Sequence, residues 1–334
     1  ELFILDQIKR RTKLKVEVLS NSEHRFVSYE SVAVRPEFHQ MTAKSAAVVD
    51  VGGGSLQITI FKKGRAVTTQ HLLLGTMRIY EKLSGINEGL LHYEDLIKEL
   101  VDKELERFKA IYLKDMNLQY LIMMGDYSTE ITKKLEKNHD DVTVDAKKFV
   151  KYLNKMNRYS AANIAEELSL SNEKDPLILP SVILYKRIAE ELDAEAIWVP
   201  GVNINDGIAC DYALKHGVIA TNHDFEEDIL SASKYMAERY NGYTPHIDAL
   251  TEMSVRIFDA MKKIHGMGKR ERLLLQVAAI LHDCGKYVSL VNGPECSYDI
   301  IMASEIIGLT HLEREIVAST VKYNTYPLDA YEEL

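Results

Sequence analysis

Three consecutive glycines stand between an aspartate and a serine at residues 50–55, which read Asp-Val-Gly-Gly-Gly-Ser. Without Cβ atoms, such a turn can adopt positive φ angles and let a phosphate approach its N–H groups closely. We expect Asp50 to hold Mg²⁺ (or Mn²⁺) through water, because hard cations that bridge phosphate oxygens prefer oxygen ligands. A glycine-rich hairpin without a ligand is the structural alternative. The expected phosphate ligands are Gly52, Gly53, Gly54 and Ser55.

A second turn with anion-binding residue types lies at residues 74–78, which read Leu-Gly-Thr-Met-Arg. It follows an expected strand and opens an expected helix. Helix N-termini and guanidinium groups both favour anions. We therefore expect a second anion-facing turn here, with Arg78 as a phosphate ligand.

The segments around these turns predict alternating strands and helices. Residues 45–50 are almost entirely apolar, as is typical of a strand buried on both faces. Residues 56–61 alternate, and Lys63-Gly64 then supplies a hairpin turn. The other predicted strands are residues 14–19, 66–74, 118–124 and 196–199, and the predicted helices are residues 76–83, 93–112, 146–156, 160–168 and 181–192.

The chain changes character after His223, where little β-branched clustering remains. The apolar spacing there is helical. The predicted fold class is therefore α/β followed by all-α, with domains at residues 1–222 and 223–334. The predicted helices of the second domain are residues 229–240, 247–264, 271–282 and 299–308.

The composition argues against a nucleic-acid or membrane partner. The 334 residues carry a formal net charge of −9, which opposes the approach of polyanions at random. No run reaches the roughly 18 apolar residues of a membrane span, and the start lacks a signal-peptide pattern, so we expect a cytoplasmic protein. The three cysteines are too scattered for a disulfide framework or a thiolate metal site.

One expected helix carries a local basic face. Its residues recur at spacings of three and four, so they lie on the same side of the helix. This face is either a solvated surface or a track for a long polyanion. Its members are Lys148, Lys151, Lys155 and Arg158.

Residues 50–55, residues 74–78 and a third segment together resemble the Ppx/GppA family of exopolyphosphatases and guanosine-pentaphosphate phosphohydrolases. The third segment runs from Val199-Pro200-Gly201-Val202-Asn203 to Asp206-Gly207. The resemblance extends over essentially the whole chain. It implies an actin-like (ASKHA, ribonuclease H-like) lobe that binds phosphate, followed by a helical HD-type domain. It also implies polyphosphate or a guanosine alarmone as the ligand, and it is consistent with a homodimer.

The resemblance assigns roles to single residues. The family's Ser-Gly-x-Glu-Glu segment is similar to residues 20–24, Ser-Asn-Ser-Glu-His, which makes Glu23 the catalytic, water-activating base. Gln57 stands where the family has a glutamate, and an amide can neither accept the proton nor anchor a metal as a carboxylate does. Asp126 stands in a turn that is usually Gly-Gly-Thr-like, where it would repel phosphate.

His246 and the adjacent pair His282-Asp283 resemble the metal-binding pattern of HD-domain phosphohydrolases. Imidazole and carboxylate ligands suit Mn²⁺, Fe²⁺ or Mg²⁺, which would activate water. We therefore expect a second divalent metal in the helical domain, with a vestigial site as the alternative. The further aspartate of such a site would be Asp299 or Asp329. The remaining histidines considered are expected on the surface or at helix caps, namely His223, His265 and His311.

Three functions are compatible with these residues. The first is release of the terminal phosphate from polyphosphate or pppGpp. The second is a polyphosphate or alarmone sensor that has lost turnover, and the third is a metal phosphohydrolase whose chemistry lies in the HD-type domain. The family's other phosphate loop, an Asp-x-Gly-Ser near its N-terminus, has no match here. We therefore expect the chain to lack most of the first lobe.

Overall fold

The apolar run at residues 45–50 forms a central strand of a six-stranded mixed sheet. The strands are β1 (Ser45–Val51), β2 (Leu56–Lys62), β3 (Arg65–Leu72), β4 (Tyr120–Gly125), β5 (Val142–Asp145) and β6 (Ala196–Val199). They lie in the order β3-β2-β1-β4-β6-β5. The structure is a computed structural model that describes residues 2–16, 18–83, 93–114, 116–135, 142–170 and 176–327.

The predicted strands within this sheet are confirmed. The hairpin between β2 and β3 turns at Lys63 and Gly64, which have φ angles of 53° and 77°. Two successive positive φ angles match the right-handed twist of the flanking strands. Strand β5 was not predicted, because its residues, Val-Thr-Val-Asp, include only two apolar side chains, whereas the equally short β6 is an uninterrupted apolar run.

Parallel pairing brings three strand ends to one edge of the sheet. β1 pairs in parallel with β4, with Val51 opposite Gly125, and β4 pairs in parallel with β6. The carboxyl ends of these strands therefore lie side by side. The turns that follow them form the rim where ligands bind in open α/β sheets.

Three helices precede the sheet, namely α1 (Leu2–Thr12), α2 (Asn21–Ala33) and α3 (Pro36–Thr42). The strand predicted at residues 14–19 is wrong, because residues 14–16, 18 and 19 pair with no strand in the described part of the chain. Leu14 and Val18 are 64% and 55% exposed, so alternation alone did not bury one face of this segment. α2 begins with a capping box at Ser20 and Glu23.

One face of the sheet is covered by helices that follow the hairpin. Ala47, Val49 and Val51 point into this core, as the period of two along a strand requires. The helices predicted here are confirmed, and the last turn after Phe108 is π-helical, at Lys109–Leu113. The helices are α4 (Thr76–Leu83), α5 (Tyr93–Phe108), α6 (Ser128–Lys133), α7 (Ala146–Met156), α8 (Ala161–Glu167) and α9 (Ile178–Leu192). The expected basic face lies on α7, except that Arg158 follows the helix.

The opposite face of the sheet packs against α2, α3 and the C-terminal helices. Ala46 and Val48 point into this second core, which also contains Trp198 and extends to Val317. The C-terminal elements are α10 (Ile204–Lys215), α11 (Phe225–Arg239), α12 (Thr244–His265), α13 (Lys269–Leu281), a 3₁₀ turn (Cys284–Tyr287), α14 (Gly293–Ala303) and α15 (His311–Lys322). The helix predicted at residues 299–308 is wrong beyond residue 303, because Glu305 forms a β-bridge with Thr69. A domain boundary at residue 222 stays a prediction.

A buried polar network ties the C-terminal helices to α2 and β3. Asp228 on α11 accepts hydrogen bonds from Tyr29 (2.5 Å) and from the Ala66 N–H (3.3 Å), and its carboxylate lies 2.6 Å from His223 Nε2. Burial, followed by the Asp228 carboxylate, raises the pKa of Tyr29 well above its usual value. The expectation that His223 is a surface or capping residue is wrong, since its side chain is 6% exposed within this network.

Replacing Asp228 by alanine should destabilise the protein by about 3 kcal/mol, because three buried polar groups lose their partner at once. The free energy of unfolding in urea measures this. Glu226→Ala, an exposed acid on the same helix, is the control and should change it by less than about 0.5 kcal/mol. Equal effects of the two substitutions would contradict the structural role of the network.

Candidate functional site

The glycine turn after β1 is fixed by hydrogen bonds to its carbonyl groups. The Gly52 N–H bonds the Ser55 carbonyl (2.9 Å), and the Gly52 and Gly53 carbonyls accept from the Thr76 and Arg78 N–H groups (3.2 and 3.1 Å). In a trans peptide the N–H points opposite to the preceding C=O. The Gly53 and Gly54 N–H groups therefore point away from α4, and among the described residues neither has a hydrogen-bond acceptor. These two donors remain available for a ligand.

The turn at residues 74–78 packs directly against the glycine turn. A Cβ on Gly75 would lie 2.3 Å from the Gly53 carbonyl oxygen and from the Ser55 nitrogen, so only glycine fits there. The expectation of a second anion-facing turn is wrong in this respect, because the N–H groups of Thr76 and Arg78 already bond the glycine carbonyls. Arg78 also donates its Nε–H to the Gly54 carbonyl (2.8 Å). Its role as a phosphate ligand stays a prediction.

Arg25 holds both ends of the glycine turn and was not predicted. Its Nη1 donates to the carbonyl and to the carboxylate of Asp50 (3.1 and 3.0 Å), and its Nη2 donates to the carbonyl and hydroxyl of Ser55 (3.1 and 2.6 Å). The residue is only 8% exposed. A buried guanidinium with four acceptors fixes the geometry of the turn and compensates the charge of Asp50.

Glu23, the expected catalytic base, takes part in the cap of α2. Its carboxylate accepts the Ser20 N–H (2.8 Å), and its own N–H donates to the Ser20 hydroxyl (3.2 Å). The residue of this turn that lines the cavity beside Asp50 is His24. The catalytic role of Glu23 stays a prediction, and the structure gives its carboxylate a helix-capping bond.

A cavity of about 600 Å³ lies at the carboxyl ends of β1, β4 and β6. Its walls bring together Asp50, Gly53, Asp126 and Glu130, with Lys133 as a basic neighbour. Three carboxylates would repel a phosphate unless a cation lay between them. The oxygen donors of this wall suit a hard divalent cation such as Mg²⁺.

Gln57 lies outside this cavity. It lines a smaller cavity of about 240 Å³ together with Arg25, His71, Glu305 and Arg314. The glycine turn and Arg25 therefore separate the two cavities. The amide at residue 57, where the family has a glutamate, therefore changes the wall of the smaller cavity.

The third motif positions α10 against α2. Asn203 caps α10 and Asp206 completes the capping box. A Cβ on Gly207 would lie 2.7 Å from the Val27 carbonyl oxygen, so the glycine allows the two helices to touch. Further along the same contact, burial followed by the charge of Asp211 raises the pKa of Glu30 to about 7.

His246, His282 and Asp283 come together in the helical part of the chain. One potential ligand atom from each lies within 4.8 Å of the others. Asp299 is not a member of this group, and Asp329 lies outside the described residues. The structure thus assembles the three residues singled out in the sequence.

Two sequence models decide the family. The model of the Ppx/GppA phosphatase family matches residues 3–224, and the model of Ppx/GppA phosphatase domain III matches residues 231–333. The chain belongs to the Ppx/GppA phosphatase family. Within the described part of this Ppx/GppA chain, no helix combines the length and apolarity needed to cross a membrane.

Named relatives and solved structures agree with this assignment. A guanosine-5'-triphosphate,3'-diphosphate pyrophosphatase of Aeromonas hydrophila subsp. hydrophila is 19% identical over an alignment 331 positions long, which covers 94% of this chain and 61% of that protein. The fold resembles the crystal structure of the Aquifex aeolicus Ppx/GppA family member (TM-score 0.52, 16% identity, 67% of this chain and 71% of that one). It also resembles an exopolyphosphatase from Cytophaga hutchinsonii (TM-score 0.53, 16% identity, 65% and 70%). A mixed sheet followed by a helical domain is thus the Ppx/GppA fold, whereas the HD-type label stays a prediction.

Replacing Arg25 by methionine should destabilise this Ppx/GppA protein by about 3 kcal/mol or more, because it leaves the Asp50 carboxylate without its buried partner. The free energy of unfolding measures the effect. The control is Arg10→Met, which removes an exposed ion pair with Asp6 and should cost less than about 1 kcal/mol. A loss no larger than that of the control would refute the role of Arg25.

Glu30 should make folding stability depend on pH. Its folded-state pKa of about 7 lies above the ordinary 4.5, so the folded state binds an extra proton between these values. Its contribution is therefore most favourable below pH 4.5 and declines as pH rises to 7. The difference between the free energies of unfolding at about pH 5 and at pH 8 should therefore be smaller in Glu30→Gln than in the wild type. Glu37→Gln, at an exposed glutamate, is the control and should leave the difference between the two pH values as in the wild type. An unchanged difference in Glu30→Gln would rule out Glu30 as the source of the pH dependence.

Proposed function

We propose that this chain releases the terminal phosphate of polyphosphate or of pppGpp by hydrolysis at the glycine turn. The observation that carries the proposal is the pair of free N–H groups at Gly53 and Gly54, beside a cavity with three carboxylates. The N–H groups would bind phosphate oxygens. The carboxylates would hold the divalent cation that lets a polyanion enter.

The residues divide the work between cation and phosphate. Asp50, with Asp126 and Glu130, would hold Mg²⁺ or Mn²⁺, and the bound cation would neutralise charge on the phosphate. The Gly53 and Gly54 N–H groups, with the Ser55 hydroxyl and Arg78, would bind the phosphate oxygens. The expectation for Gly52 is wrong, because its N–H already donates to the Ser55 carbonyl. Phosphoryl transfer needs mainly positioning and charge stabilisation. The water-activating base would be Glu23, whose carboxylate would have to leave its capping bond with the Ser20 N–H. Its neighbour in sequence, His24, lies on the cavity wall.

The relatives support this class of substrate. One is named for guanosine-5'-triphosphate,3'-diphosphate and another is an exopolyphosphatase. Both names describe cleavage of phosphate from a longer phosphate chain. The chain spans 61% of the length of the curated relative, so the activity of that protein comes to this chain as a proposal. A cytoplasmic homodimer stays a prediction.

A polyphosphate or alarmone sensor without turnover is the second candidate. Two observations favour it. The carboxylate of Glu23 is engaged at a helix cap, and Gln57 supplies an amide in the adjoining cavity. Such a protein would keep the free N–H groups and bind its ligand without releasing phosphate.

Phosphate release from polyphosphate and from pppGpp, each with Mg²⁺, tests the first candidate in the full chain. Release should occur with at least one substrate, and Asp50→Asn should lower it about a hundredfold or more, because the cation loses a charged ligand. Asp259→Asn is the matched control, since Asp259 is paired with Arg272 on an exposed surface, and it should leave release unchanged.

The outcomes separate the candidates. Saturable binding without release would replace the hydrolase by the sensor, and loss of release in Glu23→Gln would assign the base. Release that survives Asp50→Asn and is lost in His282→Ala would move the reaction to the helical domain. A full chain that neither binds these substrates nor releases phosphate from them would contradict both candidates.

A further inference from the structure

The smaller cavity, called the junction cavity below, lies where the sheet meets α2 and the C-terminal part of the chain. Gln57 on β2 and His71 on β3 contribute from the sheet, where they are paired in register and so share one face. The volume of about 240 Å³ equals that of about eight water molecules at roughly 30 Å³ each, which is room for one small ligand. All eight lining residues are polar or charged: Ser20, Ser22, Arg25, Gln57, His71, Glu305, His311 and Arg314.

Two buried polar atoms of these residues lack a hydrogen-bond partner. Arg314 is only 7% exposed and donates from Nη1 to the Ser304 carbonyl (2.6 Å), but its Nε–H has no acceptor among the described residues. The Nε2 atom of His71 is likewise buried without a partner, and it can carry a hydrogen. Buried polar groups in proteins are nearly always hydrogen-bonded. The two atoms therefore indicate a ligand with acceptor oxygens in the junction cavity.

Two helices begin at the junction cavity. Ser20 is the N-cap of α2, and His311 is the first residue of α15. In both helices the cap hydroxyl accepts the N–H of the third helical residue, which leaves the N–H groups of Ser22 and His311 without an acceptor in the part of the chain that the structure describes. Free N–H groups and the positive ends of two helix dipoles favour an anion.

The charged side chains of the cavity select the kind of anion. Arg25 and Arg314 are both buried, and each guanidinium group lies 3.0 Å from a carboxylate, that of Asp50 and that of Glu305 respectively. The other oxygen of Glu305 lies 3.5 Å from the Ser22 hydroxyl. An ionised carboxylate can only accept hydrogen bonds. Glu305 would therefore repel a fully deprotonated oxyanion, whereas it can accept the O–H of a hydrogen phosphate.

We propose that the junction cavity binds one inorganic phosphate ion in its hydrogen phosphate form. The phosphate oxygens accept hydrogen bonds from the Arg314 Nε–H and from the free N–H groups at the two helix starts, and Glu305 accepts the hydrogen of the P–O–H group. Sulfate carries no such hydrogen at neutral pH, so the carboxylate disfavours it. The guanidinium groups supply the positive charge, so this site needs no divalent cation.

Calorimetric titration of the full chain with inorganic phosphate in the presence of EDTA tests the proposal. One saturable site per chain is expected, and sulfate should bind at least about tenfold more weakly. Tripolyphosphate should also bind more weakly than phosphate, because the cavity has room for one small ion. The three carboxylates beside the glycine turn repel phosphate when no cation is present, so binding in EDTA stands apart from the proposed function. Binding that requires Mg²⁺, or that favours tripolyphosphate or sulfate, would overturn the proposal.

Two nearly isosteric substitutions locate the bound ion. Gln57→Glu adds a second carboxylate to the cavity and should weaken phosphate binding at least about tenfold. Glu305→Gln should bring the phosphate and sulfate affinities within about twofold of each other, because an amide can also donate to sulfate. The control is Gln40→Glu, which adds the same charge at an exposed glutamine of α3 and should leave both affinities unchanged.

Thermal unfolding of each variant shows that it is folded at the temperature of the titration. Phosphate binding that is unaffected by Gln57→Glu would overturn the proposed site. A preference for phosphate over sulfate that persists in Glu305→Gln would overturn the role of the carboxylate, and absence of saturable binding to the unsubstituted chain would overturn the whole proposal.

Discussion

The buried guanidinium of Arg25 is the interaction on which the candidate site depends. It donates hydrogen bonds to Asp50, at the end of β1, and to Ser55, before β2, and so joins the two ends of the glycine turn. Desolvating an arginine costs several kcal/mol unless acceptors surround it, and here two carbonyls, a carboxylate and a hydroxyl do so. The position of Arg25 depends in turn on α2, which begins at the Ser20–Glu23 capping box and is packed against α10 through Gly207.

The glycine turn is held from two sides, and this decides which of its N–H groups remain without an acceptor among the described residues. The start of α4 binds the glycine carbonyls, while Arg25 binds the flanking residues. The amide groups of Gly53 and Gly54 are left pointing outward. The resulting site offers fixed donors for an anion beside fixed carboxylates for a cation, which is the combination that a metal-bound phosphate requires.

Local patterns were sufficient to predict the strands β1 to β4 and β6, the Lys63-Gly64 hairpin and most helices, because each depends on spacing or on turn residues nearby. The residue that clamps the turn, Arg25, was missed because its partners lie 25 and 30 positions away. The same limit explains two errors. Residues 14–19 alternate like a strand, but residues 14–16, 18 and 19 pair with no described strand. His223 is buried against Tyr29, which lies 194 positions away and which no local pattern indicates.

The free N–H groups at Gly53 and Gly54 are the central claim, and amide spectra of the full chain, labelled with ¹⁵N only in its 17 glycines, test it most directly. During titration with tripolyphosphate and Mg²⁺, the Gly53 and Gly54 resonances should shift saturably, and the shifts should vanish when Mg²⁺ is chelated. Gly266, at the end of α12, should not move. Saturable binding of tripolyphosphate that leaves the Gly53 and Gly54 resonances unchanged would contradict the account.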